Sequence, residues 1–223
     1  MENPAFIPYE SGFAPGCSAE QAAEAFYEVL KSRRSIRDFS AQPVSRATIE
    51  WIVRAATTAP NGANKQPWRF VAVQDPKLKR AIRLGAEKEE RELYAGRASE
   101  AWLKDIEPLG TDANKAFLEV APWLIVVFRL TAADDGSKVY YSEESVGLAT
   151  GMLLAAAHHA GLATLTHTPS PMKFLAELLN RPSHERAYML IPVGYPAAGC
   201  TVPAHAITRK PLEEVLIFDC PES

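Results

Sequence analysis

Lys31-Ser32-Arg33-Arg34-Ser35-Ile36-Arg37-Asp38-Phe39-Ser40 sets three guanidinium groups and three hydroxyls within ten residues. It follows an amphipathic stretch and precedes a turn at Pro43. Arg33, Arg34 and Arg37 offer planar forks of donors and Ser35 adds a hydroxyl, a set better matched to a phosphate than to a carboxylate. Taken alone the cluster also suits a solvated basic loop, so the stretches on either side have to decide.

Upstream, Ser18-Ala19-Glu20-Gln21 reads as a capping box, and Ala22, Ala23, Phe26, Tyr27 and Leu30 recur at helical spacing. A helix therefore delivers the arginines. Downstream, Ser45 opens a second helix that turns Ile49, Ile52, Val53 and Ala56 to the core and stops before Pro60. Ala59-Pro60-Asn61-Gly62-Ala63-Asn64-Lys65-Gln66-Pro67-Trp68 is then a loop whose backbone can approach a ligand closely at Gly62. Asn-Gly also serves hairpin turns, but the pattern before it is helical.

Residues 68–73 read as a strand, and Asp75-Pro76 caps and starts a helix running towards Tyr94. Its charged second half, taken alone, is a solvated face. Glu90 and Tyr94 nonetheless lie four apart and project from one side. A short helical piece spans residues 101–106, a loop holds Gly110, and Lys115 stands near the next helical turn. Trp123-Leu124-Ile125-Val126-Val127-Phe128, bounded by Pro122 and Arg129, is the longest apolar run and reads as a buried strand. After a polar loop, Ser142 opens a long helix with Gly161 at its cap. Apolar round most of its girth and lined with Gly147, Ala149, Gly151 and Ala155, it reads as buried and closely packed, against another subunit as one option. A strand at residues 162–166, a helix at 172–179 and a strand at 187–193 follow. From Pro196 the chain is Pro-rich and extended, a tail suited to wrapping around another molecule.

The 223 residues, 47% hydrophobic and 23% charged, suit one soluble globular domain, with no repeat or linker to split it. A net charge of −3 argues against nucleic acid as a partner. Cys17, Cys200 and Cys220 are scattered and odd in number, which fits a reducing cytoplasm. The N-terminus shows no basic stretch followed by an apolar run, so no leader is expected, and no window is long enough to cross a membrane. There is no phosphate-binding G-x-x-x-x-G-K loop, no dinucleotide G-x-G-x-x-G after a strand, no H-x-x-x-H set and no G-x-S-x-G elbow. A bound phosphate must be held by side chains, and no metal site is expected. His158 and His159, near a helix end, read as packing and dipole partners.

Arg33-Arg34-Ser35-Ile36-Arg37, Ala59-Pro60-Asn61-Gly62-Ala63 with Gln66-Pro67-Trp68, Pro192-Val193-Gly194-Tyr195 and Arg209-Lys210-Pro211 resemble, in order and spacing, the nitroreductase-fold flavoproteins. Within that superfamily, residues 87–94, Lys115, Ala121-Pro122 and Thr166-His167-Thr168-Pro169 look like the iodotyrosine deiodinase branch. The resemblance implies an α+β fold with a central mixed sheet flanked by helices. It further implies a single domain over residues 1–223, with residues 1–17 an extension and residues 196–223 a tail around the partner of an intertwined homodimer. FMN sites would lie at the interface. Arg33, Arg34, Ser35, Ile36 and Arg37 would hold the cofactor with Asn61, Gly62, Thr166, His167, Thr168 and, from the tail, Arg209. Asn61 stands where the family usually has serine.

Thr168 would be the catalytic group at flavin N5, where a hydroxyl donor favours successive one-electron transfers over hydride transfer. Glu90, Tyr94 and Lys115 match the residues that grip the zwitterionic end of a halotyrosine, and the Ala63 N–H would face its phenolate. The implied reaction replaces iodine, bromine or chlorine on the ring by hydrogen, with NAD(P)H or a reductase as electron donor. The membrane anchor of animal members has no counterpart, implying a soluble, bacterial, cytoplasmic relative. Two rivals remain: a nitro- or quinone-reducing enzyme on the same fold, and a non-catalytic binder of flavin or aromatic amino acids.

Overall fold

The computed structural model describes residues 5–10 and 12–219. Residues 1–4, which carry the start of the expected leaderless terminus, and Cys220 lie outside these. The chain divides into two units, Met1–Arg33 and Arg34–Ser223.

The first unit contains one helix, α1 (Ala19–Leu30). The expected capping box forms: the Gln21 N–H donates to Ser18 Oγ and the Ser18 N–H to Gln21 Oε1, each at 3.2 Å. None of its residues is buried, and the rings of Phe26 and Tyr27 stand mostly exposed.

The helices of the second unit are α2 (Arg46–Ala56), α3 (Pro76–Glu92), α4 (Glu100–Ile106), α5 (Phe117–Val120), α6 (Ser142–His159) and α7 (Lys173–Leu178). Its sheet comprises β1 (Trp68–Val73), β2 (Trp123–Leu130), β3 (Ala163–Thr164) and β4 (Glu185–Gly194), in spatial order β1-β2-β4-β3. β2 lies inside the sheet, and its apolar run explains the layering, because alternate side chains feed opposite faces. Trp123, Ile125 and Val127 join Ile49, Ile52 and Ala56 of α2 and Val146, Ala149 and Leu153 of α6. Leu124, Val126 and Phe128 join Ile82 and Ala86 of α3, Leu118 of α5 and Leu175 of α7. Buried Lys79 ties the second layer together, donating to the carbonyls of Glu119 at 2.8 Å and Ala121 at 2.7 Å.

The expected α+β architecture is present, but every ladder of the sheet is antiparallel. The parallel component of the expected mixed sheet reduces to one bridge, Ser35 with Thr164, where the Ile36 N–H donates to the Thr164 carbonyl at 3.0 Å. The strand expected at 162–166 shortens to two residues. The strand expected at 187–193 instead begins at Glu185, whose carboxylate is buried because Arg181 and Arg69 reach it. α6 divides into two faces within the chain. One face is buried, through Ser145, Val146, Ala149, Thr150, Leu153 and Ala157, while Leu148 and Met152 on the other remain accessible. Small residues all round make such a helix look uniformly core-like in sequence. Gly161 ends it with φ +76°, as its cap position requires.

Beyond β4, Pro196 bridges Phe39 and the Ala197 N–H donates to the Asp38 carbonyl at 2.9 Å. The tail then continues through turns at Ala204–Ile207 and Leu212–Glu214, with Leu212, Val215, Ile217 and Phe218 exposed. Among the described residues no helix is long and apolar enough to cross a membrane.

Candidate active site

α3 ends in a π-helical turn, Leu93–Arg97, so Glu90 lies in its last regular turn and Tyr94 in the distortion beyond it. Glu90 is buried and forms an ion pair with the equally buried Lys115, Nζ to Oε2 3.3 Å. Lys115 also donates to the Asp112 carbonyl. The Tyr94 hydroxyl meets Thr111 Oγ1 at 3.1 Å, and its ring lies 6.3 Å from that of Trp102. Burial pushes the Tyr94 phenol above its usual range; the Thr111 hydrogen bond opposes this and Glu90 adds to it. The phenol is therefore a neutral donor near neutral pH. Glu90, Tyr94 and Lys115 thus come together as expected, beside a cavity of about 300 Å³ lined by Arg37, Phe39, Thr111, Asp112, Lys115 and Phe117.

The segment after β3 runs extended, with Thr166 and Thr168 exposed and His167 buried between them. Period-two alternation puts both threonines on one face and the imidazole on the other. The His167 backbone is locked to Leu190 by two 2.9 Å hydrogen bonds. Its Nδ1 lies 3.9 Å from Glu90 Oε1, and its ring stands edge-on to Phe117 at 6.2 Å between centroids. Burial first, then the charges of Lys115 and Arg37, hold its pKa down to about 3.

Of the arginine cluster, Arg33 closes the first unit and Arg34 opens the second. Ser35 and Ile36 are fixed by the bridge to Thr164. Arg37 is half-buried, and no carboxylate among the described residues pairs with it; burial lowers its guanidinium below the usual value. Among the described residues Arg209 donates to the carbonyls of Ala206 and Thr208, at 2.9 and 2.8 Å. By contrast Arg46, Arg69, Arg83, Arg97, Arg129 and Arg181 all meet carboxylates. Arg37 and Arg209 are thus donors that fit the phosphate or ring edge of a flavin nucleotide.

The loop before β1 belongs to a different place. Asn61 organises it, accepting the Gln66 N–H at 2.7 Å and donating to the Ala59 carbonyl at 3.2 Å. A Cβ on Gly62 would come within 2.6 Å of the Tyr140 carbonyl oxygen, and Ala63 adopts a left-handed φ of 52°. The loop is anchored where the Leu130 N–H meets the Pro67 carbonyl, at the far end of β2. The Ser35–Thr164 bridge lies at the near end, since Thr164 pairs with Val193 and Val193 with Trp123. Between these ends runs a strand of eight residues, roughly 23 Å at the usual rise. Within one chain Ser35 and the Gly62 loop therefore lie at opposite ends of β2, with His167 between them opposite Leu190, the partner of Val126.

Sequence reasoning missed Glu87, which accepts the Lys115 N–H at 2.9 Å and the Arg83 guanidinium at 2.7 Å. Burial raises its pKa, but Arg83 and the Lys115 N–H outweigh this and leave it low. Its spacing of three from Glu90 on α3 was the available signal. Thr111 carried none, being fixed by chain folding alone. Asp134, His184 and Glu185 form a cluster of metal-ligating type, but Arg69 and Arg181 already occupy both carboxylates, so it reads as an ion-pair network.

The nitroreductase family model matches residues 30–195. Iodotyrosine deiodinase of Haliscomenobacter hydrossis is 54% identical over 221 residues, covering 97% of this chain and 98% of that protein. Iodotyrosine deiodinase 1 of Homo sapiens is 42% identical over 223 residues, covering 97% of this chain and 76% of the human one. Among solved structures, oxidized iodotyrosine deiodinase bound to FMN and 3-iodo-L-tyrosine superimposes with a TM-score of 0.69 at 34% identity, over 77% of this chain and 90% of that one.

Proposed function

The chain belongs to the nitroreductase family, and from that premise we propose that it is an FMN-dependent enzyme that reductively dehalogenates halotyrosines. It takes 3-iodo-L-tyrosine to L-tyrosine and iodide and accepts the bromo and chloro analogues. The observation that carries this reading is the buried Glu90–Lys115 pair with Tyr94 beside it. A buried ion pair that loses one partner is strongly destabilised. A free amino acid avoids that cost because it brings both charges: its ammonium replaces Lys115 on Glu90, while its carboxylate takes the Lys115 ammonium and the Tyr94 hydroxyl. Both protein charges stay compensated before and after binding. A nitro- or quinone-reducing enzyme has no use for such a set.

Arg33, Arg34, Ser35, Ile36 and Arg37 would hold FMN with Thr166 and Thr168, the exposed residues on either side of inward-turned His167, and Asn61, Gly62 and Arg209 would complete the site. Bound there in its reduced form, FMN would supply the two electrons that, with one proton, replace the carbon–iodine bond by carbon–hydrogen and release iodide. Thr168 offers the hydroxyl donor that favours single-electron steps. The Ala63 N–H, set by its left-handed backbone, would donate to the phenolate oxygen. Closure of the segment from Glu90 to Lys115 would exclude water around the ring. NAD(P)H, directly or through a reductase, would renew the electrons.

The separation of Ser35 from the Gly62 loop along β2 supports a homodimer in which the loop of one chain completes the site of its partner. The exposed apolar residues of α6 and the tail supply surface for that assembly. The free thiols of Cys17 and Cys200 suit a cytoplasmic setting. The test is anaerobic: holoprotein reduced with dithionite is mixed with 3-iodo-L-tyrosine. Flavin reoxidation with stoichiometric iodide and tyrosine is expected. Binding without reoxidation would identify a carrier, and reoxidation by nitroaromatics alone would identify the rival reductase.

A further inference from the structure

The buried imidazole of His167 has one nitrogen facing the Glu90 carboxylate and the other facing no hydrogen-bond partner among the described residues. We propose that His167 is a positioning residue for the substrate clamp, fixing Glu90 through Nδ1, rather than a side chain that holds the flavin; this rests on the dehalogenase reading above.

Several observations converge on it. The backbone at His167 is pinned by its paired hydrogen bonds with Leu190, so the ring has little freedom to leave. Strand alternation turns that ring away from the face that Thr166 and Thr168 share. On its own side it meets Phe117 at its edge and Glu90 across 3.9 Å. Glu90 Oε2 faces Lys115 while Oε1 faces His167, so the two neighbours between them set the plane of the carboxylate. The charged groups around the ring are Glu90, Lys115 and Arg37; burial first, and then the two cations, keep the imidazole neutral. A neutral ring has a single N–H, and the carboxylate draws it to Nδ1. That tautomer leaves Nε2 as a bare acceptor, which agrees with its being buried without a hydrogen-bond partner among the described residues.

The consequence falls on binding. When the substrate ammonium displaces Lys115 from Oε2, Lys115 turns to the substrate carboxylate. His167 is then the group that keeps Glu90 from swinging with it, and the 3.9 Å approach shortens to a hydrogen bond as the clamp closes.

The experiment compares three variants of the FMN-loaded enzyme. Asparagine places an amide N–H where Nδ1 stands, and glutamine places one nearer Nε2. His167→Asn is therefore expected to keep the KM for 3-iodo-L-tyrosine within about threefold of the parent, while His167→Gln and His167→Leu raise it about tenfold, with the loss in KM rather than kcat. Retention of FMN, read from the visible spectrum after gel filtration, should follow the parent in all soluble variants. Equal behaviour of the asparagine and glutamine variants, or a parental KM in the leucine variant, would overturn the proposal. So would a loss of FMN, which would make the ring a flavin ligand. If His167→Leu fails to fold, the asparagine and glutamine pair still decides. If the parent itself does not turn over iodotyrosine, it is the dehalogenase reading that fails.

Discussion

Glu90 and Lys115 neutralise one another inside the protein, so changing either has a cost that depends on what replaces the missing charge. Glu90→Gln keeps the shape and removes the anion that meets the substrate ammonium. The KM for 3-iodo-L-tyrosine should rise at least about tenfold, equivalent to about 1.4 kcal/mol of binding, in steady-state assays; an unchanged KM would remove Glu90 from the clamp. His167 gives a second prediction through pH. Its folded pKa of about 3 lies below the ordinary value of 6.5, so the unfolded chain binds the extra proton between those values. The stability it contributes is present above about pH 6.5 and is lost as the pH falls towards 3, at up to about 1.4 kcal/mol per pH unit. Urea unfolding of holoprotein at pH 7 and pH 5 should show that loss, and His167→Asn should flatten it. At this scale the sequence named the clamp through family resemblance and the i, i+4 spacing of Glu90 and Tyr94. Glu87 was signalled only by its spacing from Glu90, and the partners of Thr111 and the His167 ring are decided by folding and not by spacing.

At the scale of elements, α3 is the beam on which the clamp sits, and Lys79 fastens its first half to the end of α5. Lys79→Met fills similar space but takes the donor from one buried and one part-buried carbonyl. It should destabilise the protein by about 2–3 kcal/mol, read by urea unfolding at fixed protein and FMN concentrations. Elements were legible wherever one signal spoke clearly: caps at Ser18, Ser45 and Asp75, and the unbroken apolar run of β2. They were less legible where two effects compete. β4 starts at a glutamate that sequence assigns to a loop, because only the folded chain brings Arg69 and Arg181 to it. α6 looked buried on all sides because small residues serve an intrachain core and a packing surface equally well.

The whole molecule raises the question of how many chains make one site. If the loop at Gly62 serves the partner's clamp, two chains that are each poorly active at substrate well below the parental KM should rescue one another there. Glu90→Gln disables one set; Gly62→Ala disables the other by driving a Cβ into the Tyr140 carbonyl. Co-refolded in equal amounts, they should recover about a quarter of parental activity, since half of the dimers are mixed and each mixed dimer has one wholly intact site. No recovery in a mixture shown to contain mixed dimers would mean that each chain builds its site alone. The eight-residue span of β2 also has a genetic consequence. A chain carrying both substitutions would spoil both sites of any dimer it joined. A cell making that chain and the normal one in equal amounts would keep about a quarter of its dehalogenating capacity rather than half, so the defect would behave as dominant.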